Sequence, residues 1–191
     1  MTSESSPIPV VRSVRADEWP QVKELRLAAL QDPVAPLAFL ESHDDVVTRP
    51  DAYWRERTEG AAAGRTDRQQ VIVEAPADGR WLGSVTVLVE EAGTGDPFGT
   101  EVDQRQAHLV GVFVRPEARG KGITERLFAA ALEWAWDVAG VDRVRLFVHE
   151  RNSRAEGFYR KIGFVPTGRT VPVPGNPGQR ELEFVRTRKR P

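Results

Sequence analysis

The stretch VFVRPEARGKGITERLF, residues 112–128, decides the fold, because in it an apolar run typical of a β-strand gives way to the start of a helix. Gly120 and Gly122 stand between the two. Beyond them, apolar residues recur every three or four positions, which predicts a helix that begins at Ile123 and is closed by Gly140. The apolar positions are Ile123, Leu127, Ala131, Trp134 and Val138.

The join between this strand and this helix is suited to hold an anion. The first amides of a helix have no partner within the helix, and the helix dipole adds partial positive charge there. The two glycines leave the main chain open to a bulky phosphate, and Arg119 and Lys121 add full charges. The stretch is neither a Walker A loop, which needs Ser or Thr directly after its Lys, nor a Rossmann fingerprint, whose glycines stand at other offsets.

The segments on both sides predict an α/β fold with a mixed sheet. Strands are predicted in VVRSVR, QQVIVEA, WLGSVTVLVEE, HLVGVFV, RVRLFV and ELEFV, of which the second and third form a hairpin. Helices are predicted from an N-cap at Asp17 to Leu30, around residues 51–60, and in SRAEGFYRKIG. Prolines predict loops or short turns for residues 31–50 and a loop for VPVPGNPGQ. The hairpin pairs antiparallel, and the central strand–helix–strand unit requires a crossover between parallel strands.

Composition limits the class of protein. A chain of 191 residues with 40% hydrophobic residues suits one domain, and the lack of cysteine excludes disulfides, thiolate zinc sites and a cysteine nucleophile. The net charge of −1 argues against general nucleic-acid binding. The start MTSESSPIPV lacks the features of a signal peptide, and no apolar run is long enough to span a bilayer. We therefore expect a cytoplasmic protein with no membrane or nucleic-acid partner, organised as a disordered tail (1–9), a single domain (10–186) and a basic tail (187–191).

A second motif follows the predicted strand RVRLFV. In VHERNSRAEGFYRKIGF, Asn152 comes just after the strand, Ala155 and Tyr159 share one helix face, and Gly163 and Phe164 restart the chain. Together with RGKGIT, this motif resembles the GNAT superfamily of acyl-CoA-dependent N-acetyltransferases, whose cofactor signature is Arg/Gln-x-x-Gly-x-Gly/Ala. The resemblance is strong over residues 109–165.

The resemblance implies the GNAT fold, an α/β domain with a mixed, mostly antiparallel sheet, one splayed parallel pair of strands and helices on both faces. It also implies acetyl-CoA as co-substrate and no metal. The pantetheine arm would pair with the strand at residues 112–114 and the phosphates would lie over residues 119–124, where Thr124 replaces the usual Gly or Ala. The implied cofactor-binding residues are Val112, Phe113, Val114, Arg119, Gly120, Lys121, Gly122, Ile123, Thr124 and Asn152. Helix capping is the alternative role for Asn152.

Acetyl transfer to an amine requires a neutral nitrogen, a donor for the developing oxyanion and a proton for the departing thiolate. The resemblance assigns that proton to Tyr159, with packing on the sheet as its alternative role. The oxyanion donor would be a strand amide near Phe113 or Val114. For the base, His108 is the favoured candidate, because imidazole titrates near neutral pH. A structural His108, a water chain or no dedicated base are alternatives, as are several weaker side chains: Glu90, Glu91, Glu150, His149 and His43.

The acceptor is expected on the side built by the first half of the chain, with Phe39, Glu41 and Trp54 as substrate-binding residues. Residues 1–100 carry 10 Lys and Arg against 17 Asp and Glu, a net charge of −7, whereas residues 101–191 carry 17 against 11, a net charge of +6. We therefore hypothesise that acidic side chains attract a cationic amine, with a solvated loop as the alternative. The side chains concerned are Glu41, Asp44 and Asp45.

The function predicted from these features is acetyl transfer to a primary amine, preferably of a small molecule, by direct attack. A protein N-terminal or lysine acetyltransferase and a catalytically silent CoA-binding regulatory module are the alternatives. A nucleic-acid binder that uses RGKG and RTRKRP is a further one, against which the net charge argues. The resemblance also leaves a homodimer open.

Overall fold

A computed structural model describes residues 8–189 of the protein, so most of the predicted N-terminal tail and the last two residues of the basic tail lie outside the described residues. Seven strands and five helices are present in the described part. The strands are β1 (Val10–Ser13), β2 (Arg68–Glu74), β3 (Trp81–Glu90), β4 (Gln106–Val114), β5 (Arg143–His149), β6 (Val165–Val173) and β7 (Asn176–Thr187). The helices are α1 (Trp19–Leu30), α2 (His43–Val47), α3 (Asp51–Glu59), α4 (Ile123–Asp137) and α5 (Ser153–Lys161).

The strands form one sheet in the order β1-β2-β3-β4-β5-β7-β6. Every neighbouring pair is antiparallel except β4 and β5, which are parallel and are joined through α4. The predicted mixed, mostly antiparallel sheet with one parallel pair is therefore confirmed. No helix in the described residues is both long and apolar enough to cross a membrane.

The parallel pair separates soon after it begins. Only Ala107 and His108 of β4 pair with β5, and the two strands then diverge. In the same region β4 carries a bulge, because two of its residues, Gly111 and Val112, stand opposite one residue of β3. Gly111 has φ +64, a left-handed conformation that glycine adopts without strain. The divergence leaves an opening at the centre of the sheet.

The two faces of the sheet belong to two apolar clusters, as alternation along β2 shows. Val71 and Val73 point to the face covered by α4 and α5, whereas Ile72 points to the face covered by α1 and α3. On α4 the buried residues follow a helical period, so the helix lies with one stripe on the sheet. Helices therefore cover both faces of the sheet.

Two predicted elements differ from the structure. The N-cap of α1 is Glu18 rather than Asp17, because the first bond of the helix runs from the Val22 amide to the Glu18 carbonyl oxygen at 3.1 Å. The predicted loop VPVPGNPGQ is instead the end of a hairpin between β6 and β7. Prolines are tolerated here because β6 is an edge strand and because the start of β7 extends past the end of β5.

Candidate active site

Two cavities open where β4 and β5 diverge. One, of about 440 Å³, is lined by the end of β4, the glycine-containing loop after it and the start of α5; we call it the loop cavity. The other, of about 330 Å³, is lined by residues of β4, β5 and β7 and by the segment after α1; we call it the polar cavity. Five residues line both: Ala38, Phe39, Val112, Asn152 and Tyr159. The two cavities therefore meet at these side chains.

The loop cavity has the geometry of a phosphate cradle. Gly120 and Gly122 have φ +74 and +73, and a Cβ built on either would meet no protein atom within 4 Å. Both glycines line the cavity, so such a Cβ would project into the space that a ligand needs. Gly122 is also the N-cap of α4 and has no side-chain cap, which leaves the first helical amides available. The residues present thus fit a diphosphate held by main-chain amides.

The charged residues of this loop do not all face the cavity. The Arg119 guanidinium donates to the Val114 carbonyl oxygen at 3.0 Å and forms an ion pair with the buried Asp32, so its charge is largely neutralised. Lys121 is exposed and lines neither cavity, and the Ile123 side chain is buried in the apolar core. At these three positions the main chain, rather than a free cationic side chain, is the group available to a phosphate.

Two cations that the sequence analysis missed line the loop cavity from α5. They are Arg154 and Lys161, which lie seven residues apart and so share one face of the helix. Lys161 is 3.3 Å from the Glu125 carboxylate, also at the cavity edge, whereas Arg154 has no ion pair with any described residue. Their helical spacing beside the second motif is the signal that could have identified them.

Asn152 lies where the two cavities meet and caps α5. Its Oδ1 accepts from the Ala155 amide at 3.3 Å, so the capping role considered as an alternative is present. Its Nδ2 is 3.5 Å from the Leu37 carbonyl oxygen, a contact at the limit of a hydrogen bond. The side chain therefore joins α5 to the segment after α1 at the edge of both cavities.

Tyr159 is buried among aromatic rings at the same meeting point. Its ring lies 5.6 Å from that of Phe128 and 6.3 Å from that of Phe164, so packing also fixes its position. Burial raises the pKa of the phenol well above its usual range, and the nearby Glu181 carboxylate raises it further. The hydroxyl makes no hydrogen bond with another described residue, so it stays protonated and free to donate one.

His108 is buried in the floor of the polar cavity and is held by a carboxylate. Its Nδ1 is 2.9 Å from Glu90 Oε1. Burial alone would raise the pKa of Glu90, but hydrogen bonds from His108 and Arg145 outweigh it and lower that pKa to about 2. An ionised Glu90 can only accept, so Nδ1 carries the hydrogen, and a neutral His108 keeps Nε2 as a proton acceptor.

The His108–Glu90 pair belongs to a larger buried network centred on Arg145. This guanidinium donates through two nitrogens to Glu90, at 2.8 and 2.9 Å, and it also contacts Asp96 at 3.2 Å and Glu183 at 3.3 Å. The residues come from β3, β5, β7 and the β3–β4 connection. Such a network holds the floor of the cavity in one arrangement, because removing Arg145 would leave buried carboxylates without the cation that they share.

Glu181, which the sequence analysis did not single out, is a second acidic group of the polar cavity. It is 8% exposed and lines the cavity, and its carboxyl group forms no hydrogen bond or ion pair with another described residue. Burial raises the pKa of its carboxyl group from 4.5 to about 7. It can therefore change its protonation state near neutral pH beside Tyr159.

Two of the three predicted substrate-binding residues line a cavity in the structure, and one does not. Phe39 lines both cavities and Glu41 lines the polar cavity, but the Glu41 carboxylate is paired with Arg26 at 2.7 Å. Trp54 is fully buried between α1 and α3 and lines neither cavity, because its face of α3 packs on the core, so we do not retain it as a site residue. The hypothesis that acidic side chains attract the amine loses two of its three residues. The Asp44 side chain is exposed and lines neither cavity, and the Asp45 carboxylate accepts from the Ser42 amide in the capping box of α2.

Four of the weaker candidates for a base line neither cavity and have partners of their own. Glu91 pairs with Arg105 at 3.0 Å, and Glu150 accepts from the Arg180 amide at 2.9 Å. His149 donates from Nε2 to Gln179 at 2.9 Å and accepts at Nδ1, which fixes its tautomer. His43 contacts Gln31 in the segment after α1. None of the four lines a cavity.

The sequence of this chain is similar to known acetyltransferases. A sequence model of the Acetyltransferase (GNAT) family matches residues 22–164. A mycothiol acetyltransferase of Beutenbergia cavernae is 34% identical over 95 residues, which cover 50% of this chain and 28% of the relative. The peptidyl-lysine N-acetyltransferase YjaB of Escherichia coli is 36% identical over 63 residues, which cover 33% of this chain and 39% of the relative. The similarity thus extends over well under half the length of these relatives.

Solved structures agree in fold. A GNAT-family acetyltransferase of Streptococcus pneumoniae aligns with a TM-score of 0.68 and 16% identity over 95% of this chain and 100% of that one. The PaiA N-acetyltransferase of Thermoplasma acidophilum, in complex with coenzyme A, aligns with a TM-score of 0.65 and 18% identity over 93% and 98%. The family match covers most of the chain, and the fold, the glycine loop and the Asn–Ala–Tyr motif agree with it. This protein is a member of the GNAT family of N-acetyltransferases.

Proposed function

We propose that this protein transfers the acetyl group of acetyl-CoA to the primary amine of a small molecule, and that residues 10–186 form the catalytic domain. The observation that carries the proposal is the position of Tyr159, whose protonated hydroxyl lies where the loop cavity meets the polar cavity. A donor bound in one cavity and an acceptor bound in the other would meet at this side chain.

The loop cavity is the proposed acetyl-CoA site. The amides at the start of α4 would hold the diphosphate, and Arg154 and Lys161 would add positive charge from α5. The main chain of Val112–Val114, which β5 leaves unpaired beyond the divergence, would pair with the pantetheine arm. When bound, acetyl-CoA supplies an acetyl group activated as a thioester. The residues of this chain then have to orient the thioester, accept a proton from the amine and donate a proton to the departing thiolate.

Tyr159 is the proposed acid. Its high pKa keeps the phenol protonated at neutral pH. It can therefore donate its hydrogen to the departing sulfur, and it does not act as a base. The proposed oxyanion donor is a β4 amide between Val112 and Val114, where the bulge turns the strand toward the opening. Both groups are fixed by packing rather than by a flexible loop, which favours a constant geometry.

The proposed base is His108, because Glu90 orients its ring and leaves Nε2 free to accept the amine proton. Glu181 is a second candidate, because its carboxylate lines the same cavity without a partner and has a pKa of about 7. A small acceptor is favoured by the polar cavity itself, whose volume of about 330 Å³ is at the lower end of the range for small-molecule sites.

A second function, acetylation of a lysine or an N-terminus of a protein, is favoured by the similarity to the peptidyl-lysine acetyltransferase YjaB. Its acceptor would insert a side chain or a terminal residue into the polar cavity. The two functions differ in whether a free amine suffices as acceptor.

The proposal is tested by measuring thiol release from acetyl-CoA with a panel of small amines, lysine peptides and N-terminal peptides. We expect release with small amines, and micromolar acetyl-CoA binding by calorimetry. Release with peptides alone would establish the second function. Binding of acetyl-CoA without release in any reaction would indicate a CoA-binding regulatory module, and no binding would contradict both functions.

A further inference from the structure

Two arginines but only one carboxylate lie on one wall of the polar cavity. Arg26 on α1 is paired with Glu41 at 2.7 Å, and Arg57 on α3 also lines the cavity. Arg57 donates to the Tyr53 hydroxyl at 3.2 Å but has no ion pair with any described residue. This wall therefore has one positive charge more than it has negative charges.

The environment of Arg26 shows that this charge is poorly compensated. Burial and the neighbouring Arg57 lower the pKa of Arg26, in spite of its bond to Glu41. The Arg26 Nε is buried and has no hydrogen-bond partner within the described residues, while its guanidinium lies 4.5 Å from the centre of the Phe39 ring. Buried donors are rarely left unpaired, so a missing acceptor at this wall needs an explanation.

The floor of the same cavity carries a carboxyl group and a proton acceptor instead of cations. Glu181 is a buried carboxyl group without a partner, and His108 lies nearby in the same lining with its free Nε2. The unpaired cation and the unpaired acid do not pair with each other, although both line one cavity. A ligand with one group of each sign would satisfy both ends at once.

We propose that the acceptor is a zwitterion of the amino-acid class, whose carboxylate is bound by Arg26 and Arg57 while its amine faces Glu181 and His108. The inference rests on the proposed function, which it deepens by naming the chemical class of the acceptor. The guanidiniums present planar pairs of donors that match a carboxylate. A simple alkylamine would leave the arginine wall unpaired, and a polyamine would in addition bring a second positive charge next to it.

The test compares matched acceptors. Thiol release is measured with the twenty L-amino acids and, for each active one, with its carboxamide and its decarboxylated amine. We expect kcat/KM for the amino acid to exceed that for both analogues by about ten- to hundredfold, the range for a hydrogen bond to a charged group. Equal or better activity with the analogues would overturn the inference and leave the proposed function standing.

Variants of α3 assign the effect to the wall. In Arg57→Gln the ratio of kcat/KM between amino acid and decarboxylated amine should fall by about tenfold, and Arg57→Lys should restore part of it. Arg55→Gln is the matched control, because Arg55 lies on the same helix but stacks on Trp19 at 4.8 Å and lines neither cavity. A preference that survives in Arg57→Gln, or is lost equally in Arg55→Gln, would contradict the inference.

Calorimetry gives a second readout that needs no turnover. The preferred amino acid, or each of the twenty if none is acetylated, is titrated into wild type, Arg57→Gln and Arg55→Gln without acetyl-CoA. We expect binding to wild type and Arg55→Gln and at least about tenfold weaker binding to Arg57→Gln. If acetyl-CoA releases thiol with none of the amines, the proposed function fails. The zwitterion site then depends only on the difference in binding between wild type and Arg57→Gln. Absence of the difference would remove the inference as well.

Discussion

The loop cavity and the polar cavity meet at one tyrosine but are built on different principles. The loop cavity is formed by one short stretch of chain, in which two glycines in left-handed conformation expose the main chain and α5 adds cations. The polar cavity is formed by side chains of both signs, contributed by several helices and strands that are far apart in sequence. Main-chain amides recognise a group common to many ligands, whereas the set of side chains can recognise a particular acceptor.

This difference has a consequence for mutations. A change in the loop cavity should alter acetyl-CoA affinity and leave the choice of acceptor unaffected, while a change in the polar cavity should do the reverse. A residue at the meeting point should affect neither affinity but should alter the rate of the chemical step.

Tyr159→Phe should have the largest effect. Loss of the hydroxyl removes the proposed proton donor while the ring keeps its packing on Phe128 and Phe164, so kcat should fall by about 10²- to 10⁴-fold. KM for the amine and the affinity for acetyl-CoA should change little. The measurement is steady-state thiol release with calorimetry of acetyl-CoA binding.

The control for this variant is Tyr53→Phe, which removes the other tyrosine hydroxyl of the chain. Tyr53 contacts Arg57 at the wall and lines neither cavity, so its loss should affect acceptor KM more than kcat. A Tyr159→Phe variant with wild-type kcat would show that Tyr159 only packs on the sheet, and the meeting point would then hold no catalytic group.

The base should be revealed by comparing His108→Gln with Glu181→Gln. Loss of the true base should lower kcat/KM by about 10²-fold or more at pH 8 and should remove the inflection near neutral pH from the pH profile. The other variant should keep the inflection. Because the pKa of Glu181 is about 7, its carboxylate becomes available as a base only as the pH rises through that value.

The profile has to be assigned with the neighbouring groups in mind. Tyr159 and Arg57 share the cavity with Glu181, and His149 stands opposite it on β5 but is fixed by Gln179. The raised pKa of the Tyr159 phenol keeps it protonated at neutral pH, whereas the pKa of Glu181 is about 7, so an inflection that is lost only in Glu181→Gln belongs to Glu181. An inflection that both variants retain would indicate that neither residue is the base.

Glu181→Gln should also change the pH dependence of stability. Burial raises the pKa of Glu181 from 4.5 to about 7, so the folded protein binds this proton more tightly than the unfolded chain does. Stability should therefore be lost as the pH rises from 4.5 through 7. Glutamine avoids this loss, and we expect the variant to be more stable than wild type by about 1–2 kcal/mol above pH 8.

Chemical denaturation at pH 4.5 and pH 8.5 measures this effect. At the lower pH the two proteins should differ little in free energy of unfolding, because Glu181 of the wild type is protonated in the folded state and about half protonated in the unfolded state. Equal stability at both values would mean that the polar cavity solvates the carboxylate fully. In that case the argument for an unpaired acid in this cavity would also be lost.

The fold was largely predictable from sequence, and the hairpin shows where the prediction failed. Apolar periodicity is local, so α4 and the strands on both sides of it were placed correctly. The β6–β7 hairpin was missed at VPVPGNPGQ because prolines indicate a loop when the sheet position of a segment is unknown. Only the strand order reveals that β6 is an edge strand, where a missing amide costs no hydrogen bond of the sheet.

The two cavities also differ in how far they could be predicted from the sequence. The loop cavity depends on residues that are contiguous in sequence, so Gly120 and Gly122 could be recognised from a motif. Glu181 could not, because its position in the cavity depends on β7 lying next to β5, which places it opposite His149. Trp54 shows the opposite case. Its position in the sequence suggested a substrate-binding residue, but its side chain is fully buried in the apolar core. Side chains gathered by tertiary structure leave no local pattern.

Gly122→Ala should have the smallest effect among these variants and should be confined to the loop cavity. A left-handed conformation costs a residue with a side chain about 1–2 kcal/mol, and here the new methyl group would also project into the space proposed for the diphosphate. That strain lowers the stability of the fold, whereas the methyl group would weaken a main-chain hydrogen bond to the phosphate, so we expect acetyl-CoA to bind roughly tenfold more weakly. KM for the amine should stay near its wild-type value.

Gly64→Ala separates the loss of binding from the loss of stability. Gly64 has φ +90, a Cβ added to it would also meet no protein atom within 4 Å, and it lines neither cavity. It should therefore destabilise the fold to a similar extent and leave acetyl-CoA affinity unchanged. If both variants bind acetyl-CoA as tightly as wild type, the glycines serve only the turn before α4. The loop cavity would then need a different explanation, because a main chain that tolerates a side chain at this position is not in close contact with a phosphate.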